Sequence, residues 1–123
     1  MTPAATYGDV LLHIDGRWTP GSERATRDVH NPATGQRIGR VACASDIDLA
    51  QAVQSARRAF PGWRDTSAMQ RRRILHQAAQ LLRQRIDAIA TVLTLEQGKP
   101  LAEAKAEVNM AAEIIEWFAD EGV

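Results

Sequence analysis

The hydrophobic period of this chain changes at Ser45, and that change limits the folds open to it. Before Ser45, short apolar runs alternate with turn residues such as glycine and proline, a pattern typical of strands and hairpins. After Ser45, apolar residues recur three and four positions apart, as on one helical face. The first such set is Leu49, Val53, Ala56 and Phe60. This order predicts an α+β chain with its strands first and its helices second.

Two β-hairpins are predicted over about residues 10–43, after a flexible tail at residues 1–9. The first hairpin turns at Asp15-Gly16, a dipeptide that supplies the positive φ of a tight two-residue turn. The second turns in the segment NPATG, where Pro32 presets φ and Gly35 can take the left-handed conformation.

Helices are predicted at about residues 46–60, 67–84, 86–97 and 100–121. Ser45 with Asp48, and Ser67 with Gln70, have the three-residue spacing of capping boxes at helix starts. The segment Phe60-Pro61-Gly62 is expected to end the first of these helices, because proline lacks a backbone N–H.

The stretch TLEQGKPLAEA contains a Gly98-Lys99 pair, which occurs in phosphate-binding loops. That motif also needs a glycine five residues earlier and a serine or threonine afterwards, but Leu93 and Pro100 occupy those positions. A joint between two helices fits every residue: Gly98 ends one helix and Pro100 opens the next. Lys99 is expected to be a surface residue between them.

No other set of residues predicts a reacting centre. Cys43 has no indicated base to make its thiol a nucleophile, so a small core residue is the expected role. The three histidines share no metal-ligand spacing: His13, His30 and His76.

The charged side chains of the later helices are expected to be solvated or paired. Arg71, Arg72 and Arg73 spread around the helix and form no single phosphate-binding patch. A solvated face is expected for the acidic residues of the last helix: Glu103, Glu107, Glu113, Glu116, Asp120 and Glu121.

Composition excludes several functional classes. Fifteen basic and fifteen acidic residues give a net charge of zero, which argues against a nucleic-acid partner and a polybasic membrane anchor. The first ten residues have neither the basic nor the apolar region of a signal peptide, so none is expected. No apolar run reaches the roughly 20 residues that span a bilayer. A single cysteine excludes an internal disulfide framework. A cytoplasmic location without nucleic-acid or membrane partners is therefore expected.

Five strings, in order, resemble the start of the aldehyde dehydrogenase superfamily. Each is weak alone, but their order and spacing over about residues 10–123 make the resemblance specific. The portions TLEQGKPLAEAKAEV and EWFADE are most similar to the succinate-semialdehyde dehydrogenase branch. The strings are IDGRW, NPATGQRIGRV, DIDLAQAVQSARRAFPGW, RRRILHQAAQLLRQRIDAIATVLTLEQGKPLAEAKAEV and EWFADEG.

The resemblance implies a much longer enzyme that oxidises an aldehyde, such as succinate semialdehyde, to a carboxylate with NAD or NADP. The family's catalytic cysteine, activating glutamate, oxyanion-hole asparagine and nucleotide-binding segments lie downstream of Val123, and Cys43 is outside the catalytic motif. Residues 10–123 are therefore expected to be an incomplete N-terminal part of the coenzyme-binding domain, a fragment lacking the central parallel sheet. No catalytic or cofactor residue carries over, and this chain alone is expected to be inactive and to bind neither coenzyme.

The resemblance also implies a cation site and partners. Some family members bind a monovalent cation through main-chain carbonyls that correspond to Val29, His30 and Glu96. The helix after Pro100 lines the family's substrate tunnel near the position of Ala111. The expected partners are the rest of the enzyme chain and, in the complete protein, further copies in a homo-oligomer.

Two alternatives remain open from the residues. One is a non-catalytic helical interaction module derived from the family, because three helices would expose apolar faces without the sheet. The other is a nucleic-acid binder, which rests only on Arg71, Arg72 and Arg73.

Overall fold

The computed structural model describes residues 7–123 and has the predicted order of hairpins followed by helices. The chain divides into two compact units, described at residues 7–65 and at Thr66–Val123. Of the predicted tail, residues 1–6 lie outside the described residues. The strands are β1 (Leu12–Ile14), β2 (Arg17–Thr19), β3 (Thr26–His30) and β4 (Arg37–Ala42), and the helices are α1 (Asp46–Asp65), α2 (Ala68–Gln84), α3 (Ile86–Gln97) and α4 (Leu101–Glu121).

The hairpin of β1 and β2 forms as its turn residues predict. The strands pair antiparallel, and both turn residues have positive φ, 53° at Asp15 and 75° at Gly16. Two positive φ values define the turn whose twist matches the strands it joins. His13 lies opposite Trp18, and their ring centroids are 4.7 Å apart.

The hairpin of β3 and β4 is irregular near its turn. The strands pair antiparallel with a bulge between Val29 and His30, and Gly35 takes a φ of 69° in the turn. Val10, which lies just before β1, forms an isolated parallel bridge with Val41 of β4. The named strands between residues 7 and 123 form two separate antiparallel pairs.

Helix α1 continues past the proline that was expected to end it. It runs to Asp65 with Pro61 inside, so the prediction of an end near residue 60 was wrong. Proline removes one N–H donor and crowds the carbonyl four residues earlier, but the residues after it keep their own donors. The later N–H groups can therefore still bond to carbonyls one turn back, and one lost hydrogen bond does not stop the helix.

In the second unit, the cap at the start of α2 and the glycine at the end of α3 form as predicted. Ser67 caps α2, and its hydroxyl accepts the N–H of Gln70 at 3.3 Å. Gly98 ends α3 in the left-handed conformation, with φ of 76°, and donates its N–H to the carbonyl of Thr94 at 2.8 Å. Pro100 lies one position before the first residue of α4 rather than within its first turn.

Replacing Gly98 by Ala is expected to lower the stability of the chain. A side chain in the left-handed region costs about 1–2 kcal/mol, which corresponds to a Tm roughly 4–8 °C lower per kcal/mol for a domain of 60–100 residues. Gly62→Ala is a matched control, because Gly62 is helical and a Cβ there meets nothing within 4 Å. Thermal melts should show G98A below the unchanged chain and G62A at or above it. Equal melting of G98A and the unchanged chain would contradict the assignment of the turn.

The core of the second unit consists of small side chains. Helix α4 packs against both α2 and α3. All but one of the buried apolar residues in this unit are alanines, and no large side chain among residues 7–123 is fully buried: Ala79, Ala90, Ala104, Val108, Ala112 and Ala119. Helix axes approach closely where residues are small, so these helices are held by short-range packing of backbone and methyl groups.

Candidate functional site

The described residues do not assemble a nucleophile with a base. Cys43 is half-buried, and its backbone N–H donates to the carbonyl of Ala25 at 2.8 Å. Within residues 7–123, no three His, Cys, Asp or Glu side chains converge in a metal-binding arrangement. His76 instead contacts Asp120, and His13 stacks on Trp18.

A buried carboxylate joins the loop after β2 to the start of α1. Asp48 is 3% exposed and accepts the backbone N–H of Ser45 at 2.9 Å and that of Ser22 at 3.0 Å. In return, the N–H of Asp48 donates to the hydroxyl of Ser45 at 3.2 Å. These two exchanged bonds confirm the predicted capping box, in which aspartate takes the usual place of glutamate.

The hydroxyls of Ser22 and Ser45 complete this cluster. Each lies within hydrogen-bond distance of an Asp48 oxygen, at 3.2 and 2.9 Å, and the two hydroxyl oxygens are 2.7 Å apart. Two hydroxyl hydrogens serve these three contacts, so only two of the contacts are hydrogen bonds at one time. The backbone N–H of Ser45, the leading cause, and the donors of Ser22 lower the pKa of Asp48. The carboxylate therefore serves as a structural acceptor held in its charged form.

Three basic side chains of α2 bind two acidic ones of α4. Arg72 Nε and His76 Nε2 approach the same oxygen of Asp120, at 2.7 and 2.8 Å. One helical turn before Asp120, Glu116 forms a two-pronged pair with Arg83, in which Nη2 and Oε2 are 2.7 Å apart. Arg72 was expected to be either solvated or paired, and it is paired. Five of the six acids of α4 are exposed, as expected, and Glu116 is half-buried.

The spacing of the charged residues along the sequence indicates which of them share a helix face. Positions 72, 76 and 83 fall on one face of α2, and positions 116 and 120 are one turn apart on α4. Sequence alone does not show that these two faces meet. That requires the packing of α2 on α4, two helices that each bury alanine side chains.

Ion pairing lowers the pKa of both acids, and this predicts how stability depends on pH. His76 and then Arg72 lower the pKa of Asp120, and Arg83 lowers that of Glu116. A carboxyl group with a depressed pKa stabilises the fold above its unfolded pKa, and this contribution is lost as pH falls through the folded pKa. Glu116→Gln should therefore lower Tm at pH 7, and the difference from the unchanged chain should shrink towards about pH 3.

The control for this measurement is Glu103→Gln on the exposed first turn of α4, which forms no ion pair with any described residue. Its Tm should differ little from that of the unchanged chain at both pH values. If E116Q lowered Tm equally at pH 7 and at low pH, the loss would come from packing rather than from charge.

Lys99 is more constrained than the sequence suggested. Its side chain is only 23% exposed, and its ammonium group pairs with Glu107 on α4. A second pair joins Lys105 of α4 to Asp87 of α3 at 2.7 Å. The GKP stretch is therefore a joint between two helices, as predicted. Its lysine ties the joint to α4 through the ion pair with Glu107.

The three residues predicted to bind a monovalent cation lie in different elements. Val29 and His30 are consecutive residues at the end of β3, beside the bulge. Glu96 is exposed in the last turn of α3, in the second unit. The shared site therefore stays a prediction.

Large apolar side chains are exposed on two helices. On α1 the outward residues include Leu49, Val53, Phe60 and Trp63. On α4 they include Met110, Ile114, Trp117 and Phe118, and the last two rings contact edge to face with centroids 4.8 Å apart. Apolar surface on this scale marks faces that bind other protein or ligand surfaces. Among residues 7–123, no helix is both long enough and apolar enough to cross a bilayer.

Comparisons with known proteins show which family this chain resembles. The model of the aldehyde dehydrogenase family matches residues 18–123. Over 109 residues the chain is 43% identical to GabD of Escherichia coli K12, a succinate-semialdehyde dehydrogenase [NADP(+)], covering 89% of this chain and 23% of that protein.

Solved structures agree with the sequence match. The crystal structure of succinate-semialdehyde dehydrogenase from Burkholderia pseudomallei superposes with a TM-score of 0.89 at 40% identity, covering 97% of this chain and 24% of that one. An NAD-dependent aldehyde dehydrogenase from Sinorhizobium meliloti gives a TM-score of 0.91 at 28% identity, covering 98% and 25%. The 123 residues thus span about a quarter of these relatives. The family model matches residues 18–123, which is most of this chain, so the chain belongs to the aldehyde dehydrogenase family.

Proposed function

We propose that this chain supplies the N-terminal part of an NAD(P)-dependent aldehyde dehydrogenase that oxidises a semialdehyde bearing a carboxylate, with succinate semialdehyde as the first candidate. The supporting observation is the match over residues 18–123 to the family, together with 43% identity to an enzyme named for that substrate. Both NADP and NAD appear in the names of the relatives, so both coenzymes are candidates.

The residues of this chain do not fit a dinucleotide. Such sites form at the carboxyl ends of parallel strands, where a glycine-rich turn leads into a helix. The described strands pair antiparallel in two hairpins, and no glycine-rich turn leads from one of them into α1. No residue of 7–123 is therefore assigned to the coenzyme, and none is assigned to catalysis. We propose that the chain alone is inactive and binds neither NAD nor NADP.

A chimera tests the proposal. The 123 residues would replace the matched N-terminal segment of the E. coli relative, and reduction of NAD and NADP would be followed with succinate semialdehyde. We expect turnover by the chimera and none by the chain alone or by the relative without its own N-terminal segment. Turnover by the chain alone, or a folded chimera that oxidises no aldehyde, would refute the proposal.

The mass of the native protein provides a second test. A longer enzyme predicts an intact mass in the source cell several times the 13.5 kDa of this chain. An intact mass of 13.5 kDa would favour the second candidate, a non-catalytic helical module. The observation behind that candidate is the exposure of large apolar side chains on α1 and α4. A module of that kind should unfold cooperatively and sediment as a defined oligomer.

The remaining proposals concern the complete protein. We propose a cytoplasmic homo-oligomer without nucleic-acid or membrane partners, which suits a chain with one cysteine and zero net charge. We also propose that the main-chain carbonyls of Val29, His30 and Glu96 contribute to a monovalent cation site. Replacing potassium and sodium by a bulky organic cation should then lower the Tm of the active chimera.

A further inference from the structure

One face of α1 is apolar along its whole length and points away from the rest of its unit. Its residues follow one another at intervals of four and three, a spacing that forms a straight stripe on a helix. All five are exposed, the four larger side chains at 42–59% of their area. We call this stripe the α1 seam, and it consists of Leu49, Val53, Ala56, Phe60 and Trp63.

The opposite face of α1 is polar and holds the β1–β2 hairpin. Ser55 donates its hydroxyl to Asp15 at 2.7 Å, and Arg58 approaches the other oxygen of Asp15 at 3.4 Å. A surface helix normally buries its apolar stripe and exposes its polar one. In this unit the arrangement is reversed, so the contacts within the unit do not explain why the α1 seam is apolar.

The size of the α1 seam indicates a docking face. A buried Phe or Trp contributes about 150–250 Å², so four large side chains at about half exposure leave several hundred Å² of apolar surface, the range in which monomer patches mark interaction sites. A stable complex between separate proteins buries roughly 800 Å² on each partner. One helix face of this size is therefore better suited to packing within a larger protein than to holding two free chains together.

The charge beside the α1 seam argues against a second copy of this chain as the occupant. Arg57 flanks the centre of the seam and forms no ion pair with any described residue. If two α1 helices paired antiparallel about Ala56, the two Arg57 side chains would lie close together and repel each other. If they paired parallel, Arg57 would face Ala52 or Ala59 of the other helix, and neither is an acid. A surface that complements the α1 seam would be apolar and would place an acidic group opposite Arg57.

We propose that the α1 seam is the surface on which the remaining part of the longer aldehyde dehydrogenase docks, through an apolar patch with an acidic group opposite Arg57. This inference rests on the proposed function, because the relatives are about four times as long as this chain. It goes further in assigning the contact to one face of one helix and in stating the charge of its partner.

Thiol labelling tests the docking of the α1 seam separately from activity. Val53→Cys would be introduced into the chain and into the chimera, both carrying Cys43→Ser. Labelling of residue 53 would be read by peptide mass, because the chimera also keeps the catalytic cysteine of its relative. We expect a maleimide to label V53C at least about tenfold more slowly in the chimera, because docked surface reacts only through local opening. Ala33→Cys in the exposed β3–β4 turn is the matched control and should label equally fast in both proteins.

The outcomes separate the two proposals. A protected V53C thiol in a chimera without activity would support the docking face and refute the proposed enzyme function. Equal labelling of V53C in the chain and in an active chimera would overturn the docking inference and leave the function standing. Protection in the chain alone that increases with its concentration would show that a second copy covers the α1 seam, which also overturns the inference.

The acidic group opposite Arg57 has its own variants. In the chimera, Arg57→Glu should remove part of the protection of V53C, because it places an acid against an acid, whereas Arg57→Lys should retain most of it. Equal protection in both variants would overturn the assignment of an acidic partner group.

Discussion

Replacing Asp48 by Asn is expected to cause one of the largest losses of stability available to a single substitution in this chain. The amide has nearly the shape of the carboxylate, but one of its two oxygens becomes an NH₂ donor. The N–H groups of Ser22 and Ser45 and the two serine hydroxyls then converge on a side chain with half the acceptor capacity. Buried donors left without an acceptor are among the few causes of severe destabilisation by a single substitution. We expect Tm to fall by roughly 10 °C or more for a domain of this size.

The control for D48N is Asp46→Asn, an exposed acid in the same first turn of α1. D46N and D48N each remove one negative charge from the N-terminal turn of α1, so both lose the favourable interaction with the helix dipole. Asp46 accepts no buried donors among the described residues, so the Tm of D46N should change much less. The pKa of Asp48 is lowered in the folded chain. The stability it provides is therefore present above its unfolded pKa and is lost as pH falls through the folded pKa. The difference between D48N and the unchanged chain should shrink in acid, and a pH-independent difference would contradict this account.

Replacing Ala112 by Leu is expected to disrupt the packing of α4. Ala112 is fully buried, with 0% exposure, in a core made almost entirely of methyl groups. Three additional carbon atoms there force the helices apart, and overpacking of this kind costs about 1–3 kcal/mol. The ion pairs of Arg72 and Arg83 with α4 span the same interface, so separation of α2 from α4 should weaken them as well. Chemical denaturation with urea should show a lower midpoint for A112L.

Ala111 provides the matched control, because it is the preceding residue of the same helix and is exposed. Alanine and leucine have nearly equal helix propensities, so A111L isolates the effect of burial from that of the helix itself. We expect A111L to have the same urea midpoint as the unchanged chain. If A111L and A112L were equally stable, α4 would not pack through its alanine face, and the arrangement of the second unit would be refuted.

Local chemistry made much of the fold predictable. The Asp15-Gly16 turn, the cap at Ser45 and the left-handed Gly98 each depend on residues within about four positions, so their geometry follows from the backbone alone. The failure at Pro61 has the same origin. Proline determines which hydrogen bond is lost, but whether the helix ends there depends on contacts made by the residues beyond it.

The candidate sites were predictable to a smaller extent. The spacing of His13, His30 and His76 predicts that they share no metal ion, because ligands must converge, and this stays a prediction. The ion pairs of Glu116 and Asp120 were missed, because each joins residues more than thirty positions apart and depends on the packing of α2 against α4. The reversed polarity of α1 was also missed. A hydrophobic period shows that a helix has an apolar face, but not which surface that face meets.

The sequence by itself determined the order of strands and helices, most of their boundaries and the family, because turns, caps and motifs are encoded over short stretches. The tertiary structure alone decided which charges pair, which alanines are buried and which apolar faces stay open. The physical reason is that these interactions act over different distances along the chain. Backbone preferences act over a few residues, whereas burial and ion pairing depend on surfaces brought together by the whole fold.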